Sequence, residues 1–355
     1  MKGNINFKII DNISDFFNLK EKWITLYDNL ENKEIFYEWI WIEGYVKTFK
    51  TDSFKPFVVV GEDKGKIVAI APLCIEELKV GLVKKRVLKF IIDTTADYQC
   101  ILIRKDYNHY SVLRRVFNKI FNCESWDLIC LNNISYREKQ ASLIMEVINN
   151  FEKDGICYRK INKIAPYIIL NEFDDKKSPK RYKTINKKEK AIDKNENVSI
   201  NIDCKWNEGI WNQFVEIHIS KWEDSVFKND KYVKFYEELF KKIYEEGKLE
   251  FSYVLYDNKV ISGHIGFKCY NKICGYNIYN NEKAKTLLMG EILTKKIVEY
   301  YKEEYDMYDT LLGNEEYKFY STDASINICD YTIIRKNQLM LRFAKKVRLL
   351  FFSNR

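Results

Sequence analysis

The chain has 355 residues, more than one hydrophobic core usually supports, so its length predicts two domains. Hydrophobic residues make up 46% and aromatic residues 15% of the sequence, which excludes a largely disordered protein. The net charge of +8 permits anionic ligands such as phosphates but does not require nucleic acid, and we expect no specific nucleic-acid partner.

The cysteines and histidines argue against a metal site. Nine cysteines are scattered without any Cys-x-x-Cys pair, and the three histidines are His109, His218 and His264. Zinc sites use closely spaced ligands of these two types, so we predict no metal and expect the reduced, buried thiols of a cytoplasmic protein. The first residues lack the apolar run of a signal peptide, and no apolar run is long enough to predict a membrane span.

The first half alternates helices and strands. After a strand at 4–10, an amphipathic helix at 15–30 precedes a second helix at 35–49, whose Trp39 and Trp41 we interpret as core residues. The next predicted elements are a hairpin at 57–73, a strand at VLKFIID, a helix at 110–122, a strand at 126–131, a helix at 136–153 and a strand at 158–170.

A polar pair, Asp97 and Tyr98, comes just before the apolar run that follows this hairpin region. Polar side chains at the edge of a buried strand often face a cleft, which makes both residues candidates for substrate binding. A capped turn without a ligand is the alternative.

Residues 174–195 are the most basic stretch of the chain. Tyr182, Ile185 and Ala191 offer only a thin apolar stripe, so we interpret the stretch as a solvated helix between the two halves. The alternative is a clamp that binds phosphate groups.

From Lys248 the pattern predicts a three-stranded meander, with turns at Asp257-Asn258 and Asn271-Lys272. A helix with apolar residues at helical spacing follows, and Gly290 lies at its start. A short apolar strand then ends in a turn at Gly313-Asn314.

The second half repeats a pattern of the first. The hairpin at 253–267 is similar to the one at 57–73, with Lys259-Val260-Ile261-Ser262 aligned to Lys66-Ile67-Val68-Ala69. A helix that contains a tryptophan precedes each hairpin, and a further strand follows each. We predict two tandem copies of one α/β unit; chance similarity between two hairpins is the alternative.

Taken together, these motifs resemble the bacterial acyltransferases of the GNAT superfamily described as CelD-like or BioF2-like, which are distant relatives of the FemAB peptidoglycan aminoacyltransferases. The motifs that carry the resemblance are, in order, GKIVAIAPL, ADYQCILI, DNKVISGHIGFK, LLMGEIL and YDTLLGNEEYKFYST. The resemblance covers roughly residues 15–335. It implies an α/β (α+β) fold of two tandem GNAT-like domains, each a mixed, largely antiparallel sheet flanked by helices.

The implied division has four parts. These are a degenerate N-terminal GNAT-like domain at 1–165, the basic connecting segment at 166–195, a C-terminal acyltransferase domain at 196–335 and a basic amphipathic tail helix at 336–355. Within the tail, residues 337–352 place apolar side chains on one face and Lys and Arg on the other. That face is a candidate for peripheral contact with the inner face of the cell membrane, and packing against the protein itself is the alternative.

The resemblance also implies a reaction. An acyl group would pass from acyl-CoA, the co-substrate, to the amine of a sugar, a nucleotide-linked sugar or another cell-envelope polysaccharide precursor. No cysteine sits in a recognisable motif with a histidine and an acid, so we predict direct attack in a ternary complex. Two alternatives remain: a FemAB-like transferase that uses aminoacyl-tRNA, and an inactive module that binds a glycan or a partner protein.

Three residues are candidates for catalysis. His264 could act as the base, Asp309 could act as a base or bind the amine, and Tyr317 could protonate the departing thiolate. The candidates for substrate binding are Asp97, Tyr98, Tyr276, Tyr279 and Lys318. By resemblance, Leu288, Met289 and Gly290 would bind the pyrophosphate of CoA at a helix N-terminus, although Gly290 is the one glycine in that turn.

Overall fold

The computed structural model describes residues 5–51, 54–80, 83–92, 94–151, 155–173, 179–322 and 324–335. Its contacts divide the chain into two compact units. The first unit holds the described residues up to Lys163 and those from Asn327 onward, and the second unit is Ile164–Ile326. Residues 327–335 therefore belong to the first unit, whereas the sequence placed them in the C-terminal domain. The predicted tail helix at 336–355 lies outside the described residues.

The elements of the first half follow the predicted order. They are β1 (Asn6–Ile10), α1 (Ile13–Phe17), α2 (Lys20–Asp28), α3 (Trp39–Phe49), β2 (Lys55–Asp63), β3 (Lys66–Val80), β4 (Val83–Phe90), β5 (Leu102–Ile103), α4 (His109–Phe121), β6 (Leu128–Ser135), α5 (Gln140–Asn149) and β7 (Gly155–Ile169).

The second half repeats most of this order. Its elements are α6 (Pro179–Ile192), β8 (Val198–Asn201), α7 (Glu208–Lys221), α8 (Asp230–Glu245), β9 (Leu249–Tyr256), β10 (Lys259–Cys269), β11 (Lys272–Asn280), α9 (Glu282–Leu287), α10 (Met289–Tyr301), β12 (Met307–Asp309) and β13 (Ser325–Arg335). A short 3₁₀ helix, Glu316–Phe319, lies between β12 and β13.

The sheet of the first unit has the strand order β1-β2-β3-β4-β6-β13, and β5 pairs with β3. Neighbouring strands are antiparallel except β4 and β6, which run parallel with Val87 opposite Leu128. The amphipathic helix α4 packs its apolar side chains onto this sheet, and Leu113, Val116, Phe117 and Ile120 are fully buried there. Trp39 and Trp41 are buried as predicted.

The sheet of the second unit has the same plan, in the order β8-β9-β10-β11-β12-β7. The parallel pair is again the fourth, here β11 with β12, and the other pairs are antiparallel. The aligned lysines, Lys66 and Lys259, each begin the strand that follows the hairpin turn. The two units thus share one topology, which confirms the predicted pair of tandem domains with mixed, largely antiparallel sheets.

The basic stretch belongs to the second unit. Its helix α6 buries Tyr182, Ile185 and Ile192 in one core with residues of α10, so this part of the stretch is packed rather than wholly solvated. Ala191, which the sequence assigned to the apolar stripe, is exposed.

One of the two predicted meander turns is wrong by one residue. Asp257 and Asn258 form the first turn, with φ angles of 49° and 61°, as predicted. In the second turn, Lys272 already pairs with Cys269 across the strands, so the loop residues are Tyr270 and Asn271. The reason is the ammonium of Lys272, which lies 3.0 Å from the buried carboxylate of Asp309 and so draws Lys272 into the strand.

The two parallel pairs differ in what lies beyond them. In the first unit, β4 leaves β6 after Cys130, and the chain at 96–101 then takes the place next to β6 and α5. Gln99 N–H donates to the carbonyl of Asn133 at 2.9 Å, and Ile101 N–H donates to the Gln140 side chain at 2.8 Å. The first unit therefore fills with its own chain the position at which the second unit has a cavity, described below.

Candidate functional site

The parallel pair of the second unit opens into a gap. Within the described residues, β11 pairs with β12 only over Lys272–Cys274, although β11 continues to Asn280. The register between β10 and β11 also shifts between Ile265 and Gly266, which makes Tyr276 an extra residue in β11. The outer half of β11 therefore presents backbone N–H groups on an edge without a neighbouring strand.

A cavity of about 250 Å³ lies along this gap. Its walls come from the end of β11, one face of α10, the helix α6 and the 3₁₀ helix after β12. The lining residues are Phe173, Tyr182, Ile185, Lys221, Ile278, Asn280, Lys285, Gly290, Glu291, Thr294, Lys295, Val298, Tyr317, Tyr320 and Ser321. Of the residues that the sequence nominated, Gly290 and Tyr317 line this cavity.

Two lysines give one end of the cavity a positive charge. Lys221 ends α7 and Lys285 lies in α9, 64 positions later in the chain. Desolvation and then the charge of Lys285 lower the pKa of Lys221. The ammonium of Lys285 itself pairs with the carboxylate of Glu282, so an anion bound at this end would chiefly offset the charge of Lys221.

The start of α10 is shaped for close packing. Leu288 adopts a left-handed conformation with φ 60°, and Met289 is fully buried. A Cβ atom on Gly290 would lie 2.5 Å from Nδ2 of Asn280, so glycine is what allows α10 to approach the end of β11. The N–H groups of residues 289–291 precede the first hydrogen bond of the helix, which Ile292 donates to Leu288.

An acid also lies in this first helical turn. The carboxylate of Glu291 accepts a hydrogen bond from the guanidinium of Arg181 in α6, and Arg181 also lies 4.4 Å from the ring centre of Tyr320. The pair neutralises its own charges and holds α6 against the cavity. The resemblance did not anticipate a carboxylate here, where it takes a position at a helix N-terminus that would otherwise favour a phosphate.

Tyr317 and Lys318 have different surroundings. Tyr317 lines the cavity and is 45% exposed. Burial of its hydroxyl, followed by the charge of Glu315, raises the pKa of Tyr317. Lys318 is buried instead, and its ammonium donates to the carbonyl of Leu312 at 2.7 Å and pairs with Glu315 at 3.2 Å, which fixes the turn at Gly313.

His264 is part of a buried hydrogen-bonded chain next to the cavity, and it does not line the cavity itself. The carboxylate of Glu250 can only accept, so Nδ1 of His264 donates to it, and Nε2 accepts from the hydroxyl of Tyr308 at 2.8 Å. The hydroxyl of Ser252 donates to the other oxygen of Glu250. Burial and then Glu250 raise the pKa of Tyr308 well above its ordinary value, which keeps this hydroxyl a donor.

Glycines make room for this chain of side chains. A Cβ atom on Gly275 would clash with the hydroxyl of Tyr308 and lie 3.1 Å from Nε2 of His264. A Cβ atom on Gly266 would lie 2.9 Å from the imidazole and 2.5 Å from the carbonyl of Cys274. Tyr308 and Glu250 thus fill the space beside His264.

Asp309 lies at the end of β12 in a second buried pair. One carboxylate oxygen lies 3.0 Å from Nζ of Lys272, and the other accepts from the N–H of Leu311 at 2.9 Å. Asp309 is fully buried and does not line the cavity. Its role as a base stays a prediction, and its contacts explain the conformation of the chain where β12 ends.

The two nominated tyrosines of β11 pack on the face covered by α7 and α8. Tyr279 stacks on Phe214 with ring centres 4.8 Å apart, and burial raises its pKa. The hydroxyl of Tyr276 lies 2.9 Å from that of Tyr236. Neither ring lines the cavity, and substrate binding by either stays a prediction.

Asp97 and Tyr98 lie in the first unit. Tyr98 is fully buried, with its ring 6.2 Å from that of Phe36 and 6.0 Å from the guanidinium of Arg137. Asp97 is partly exposed. Their assignment to substrate binding stays a prediction.

Comparison with known protein families supplies the classification. Residues 179–319 match the family of acetyltransferase (GNAT) domains. The chain carries a GNAT domain. This GNAT domain covers most of the second unit and contains the gap and all the nominated residues except Asp97 and Tyr98. It also contains every residue that lines the cavity except Phe173, Tyr320 and Ser321. A comparison with curated protein sequences finds no match.

Solved structures extend the likeness over more than 90% of the chain. The crystal structure of FemX is similar, with a TM-score of 0.58 and 9% identity over 91% of this chain and 98% of FemX. The structure of L-PGS from Bacillus licheniformis gives a TM-score of 0.55 and 12% identity over 92% of this chain and 95% of its own. A tandem GNAT protein from the clavulanic acid biosynthesis pathway gives 0.50 and 9% identity over 93% and 98%. At such low identities the likeness shows a common fold.

The described part of the chain contains no helix that is both long and apolar enough to cross a membrane. All nine cysteines are free.

Proposed function

We propose that the GNAT domain of the second unit transfers an acyl group from acyl-CoA to an amine. The observation that supports this most is the position of the cavity, which joins the open edge of β11, the start of α10 and the hydroxyl of Tyr317. The open strand edge would serve the thioester carbonyl, the helix start would serve a phosphate group, and the hydroxyl would serve the leaving thiolate.

In the proposed reaction the amine attacks the thioester carbonyl, and a C–N bond forms while negative charge develops on the oxygen. Backbone N–H groups on the open edge of β11, between Asn277 and Asn280, would stabilise this oxyanion. The C–S bond then breaks, and the thiolate takes the phenolic proton of Tyr317. Water takes the proton that the attacking amine loses, and proton exchange with solvent restores the phenol.

The charges at the cavity suggest how the donor would be held. Lys221 and Lys285 would bind the phosphates of CoA at one end, together with the free N–H groups at the start of α10. Met289 and Gly290 would contribute through their backbone N–H groups, since Met289 is buried and Gly290 has no side chain. The N–H of Leu288 already donates to the carbonyl of Lys285 at 3.2 Å.

For the acceptor we propose the amine of a sugar or of a cell-envelope polysaccharide precursor, by analogy with the family that the motifs resemble. The first unit, whose corresponding position is filled by residues 96–101, would then have no acyl donor of its own. Action in the cytoplasm, at the inner face of the membrane, would agree with such an acceptor.

A second candidate is transfer of an aminoacyl group from tRNA, as in the FemAB family. The observation in its favour is Glu291, whose carboxylate lies in the helical turn at which CoA phosphates would bind. FemX is also among the similar structures.

Thermal unfolding in the presence of CoA separates the two candidates. If CoA binds, a hundredfold excess over Kd should raise the free energy of unfolding by about 2.7 kcal/mol. The variant Lys221→Glu/Lys285→Glu should lose this stabilisation. The matched control, Lys231→Glu/Lys234→Glu, changes two exposed lysines of α8 and should retain it.

No stabilisation of the wild-type chain by CoA or by any acyl-CoA would contradict the first candidate and favour the second. An equal stabilisation of the wild-type chain and of the Lys221→Glu/Lys285→Glu variant would show that the phosphates bind elsewhere.

A further inference from the structure

We propose that the tail, residues 336–355, folds back on the first unit and covers an apolar patch on one face of its sheet. The patch consists of Val87, Leu128, Cys130 and Ile334, and we call it the outer patch. This inference concerns the first unit and is independent of the proposed acyl transfer.

The outer patch lies on the face of the sheet that α4 does not cover. Val87 of β4 is opposite Leu128 of β6, and Leu128 is opposite Ile334 of β13, so these three side chains point to the same face. The next residues along β4 and β6, Leu88 and Ile129, point to the other face and belong to the core beneath α4. The outer patch is therefore a second apolar surface on the same sheet.

The outer patch is buried, although its described members all come from strands. Leu128 is 0% exposed, Val87 1% and Ile334 6%. Among the described residues, the apolar side chain that packs against the patch is Leu78, which belongs to β3. Side chains on one face of a sheet lie side by side and leave their outer ends open, so this burial requires a second layer.

The same face is open on the neighbouring strand. β7 follows β13 in the strand order, and its residues up to Lys163 belong to the first unit. Cys157 packs against the core beneath α4, so Ile156 and Tyr158 lie on the opposite face, where they are 44% and 45% exposed. The second layer thus stops near β13, which indicates a narrow element such as one helix.

The tail is the part of the chain that can supply this helix. The described residues end at Arg335, next to Ile334 of the outer patch, and each of the other stretches outside the described residues has five residues or fewer. In a helix, six apolar side chains of the tail would fall on one side: Leu339, Met340, Phe343, Val347, Leu350 and Phe351.

The two surfaces are comparable in extent. From Leu339 to Phe351 the apolar side of the tail would span about 18 Å at 1.5 Å per residue. From Leu78 on β3 to Ile334 on β13 the sheet crosses three strand spacings, about 14 Å in all. One helix formed by the tail is therefore long enough to cover the outer patch.

A membrane is the alternative occupant, because Lys345 and Arg348 would lie on the opposite side of such a helix and anionic lipid attracts these charges. The outer patch, however, is buried within the chain itself, without any lipid. We therefore assign its cover to the tail.

Cys130 is a native reporter of this cover, because its thiol is free and belongs to the outer patch. The experiment measures the rate at which N-ethylmaleimide labels Cys130 in the full chain, by mass spectrometry of peptides. Phe343→Asp/Val347→Asp should raise this rate roughly tenfold or more, because a charged side cannot pack on the patch. The matched control, Lys345→Asp/Arg348→Asp, changes the opposite side of the tail and should label at the wild-type rate.

Cys329 shows whether the first unit stays folded, because it is fully buried in the core beneath α4 and should remain unlabelled in every variant. Equal labelling of Cys130 in the wild-type chain and in Phe343→Asp/Val347→Asp would overturn the proposal. Fast labelling of the wild-type chain that slows only when phosphatidylglycerol vesicles are added would also overturn it, in favour of a membrane. Neither result alters the proposed acyl transfer, whose cavity lies in the second unit.

Discussion

Replacing Tyr317 with phenylalanine is expected to lower kcat about 100-fold, because the thiolate would leave without a proton donor. The KM for acyl-CoA should change little, since the ring stays in the cavity and only the hydroxyl is lost. Burial and Glu315 raise the pKa of Tyr317, so the phenol stays protonated through neutral pH. In the wild-type enzyme, loss of activity through ionisation of this phenol should therefore begin only above the ordinary tyrosine pKa of about 10.

Stability provides the control for this variant. Among the described residues, the hydroxyl of Tyr317 has no hydrogen-bond partner, so Tyr317→Phe should unfold at the wild-type temperature. Tyr300→Phe removes a hydroxyl from a tyrosine that is 58% exposed on α10 and should retain full activity. Wild-type kcat in Tyr317→Phe would remove this residue from the mechanism.

The variant His264→Ala should lose about 3–5 kcal/mol of unfolding free energy, because it leaves the buried carboxylate of Glu250 without the imidazole. Tyr308 would also lose the acceptor for its buried hydroxyl. Denaturant unfolding followed by circular dichroism measures the change.

A double-mutant cycle distinguishes this buried pair from a loss of packing alone. Glu250→Gln removes the charge, so the double variant Glu250→Gln/His264→Ala should be less destabilised than the two single changes added together. Additive losses would contradict the pairing. A His264→Ala variant with wild-type stability and strongly reduced kcat would instead support the role of a base that the sequence suggested for His264.

The sequence predicted the order of elements well, because the local signals were strong. The paired residues Asp257 and Asn258 predict a two-residue turn, and the spacing of apolar residues predicts α10. The repeated hairpin, whose second strands begin at Lys66 and Lys259, predicts two copies of one unit. These features depend on residues that are close together in the chain, so a sequence pattern is enough to predict them.

The surroundings of His264 depend on a shift in strand register that no local sequence pattern predicts. The turn at Asp257-Asn258 alone would place His264 opposite Phe251. Glu250 would then lie on the other face of the sheet from His264. A shift in register between Val260 and Ser262 moves His264 opposite Ser252, so that Glu250 shares its face. One extra residue thus places His264 in a buried chain of hydrogen bonds.

Apart from Gly290 and Tyr317, the residues that line the cavity were not predicted, for a different reason. Lys221, Lys285 and Val298 come from three helices, and each reads locally as an ordinary surface or core residue. The pair Arg181 and Glu291 is separated by 110 positions. Such groups meet only through the tertiary packing of α6, α7, α9 and α10, which sequence spacing does not encode.

Amide hydrogen exchange with and without acyl-CoA tests most directly whether the gap of the second unit is the donor site. Ligand binding should slow exchange in two segments, residues 276–280 at the open edge of β11 and residues 288–291 at the start of α10, with no change at 96–101 in the first unit. Protection confined to the first unit, or exchange in both β11 and α10 that acyl-CoA leaves unaltered while it still binds, would contradict the assignment of the gap as the donor site.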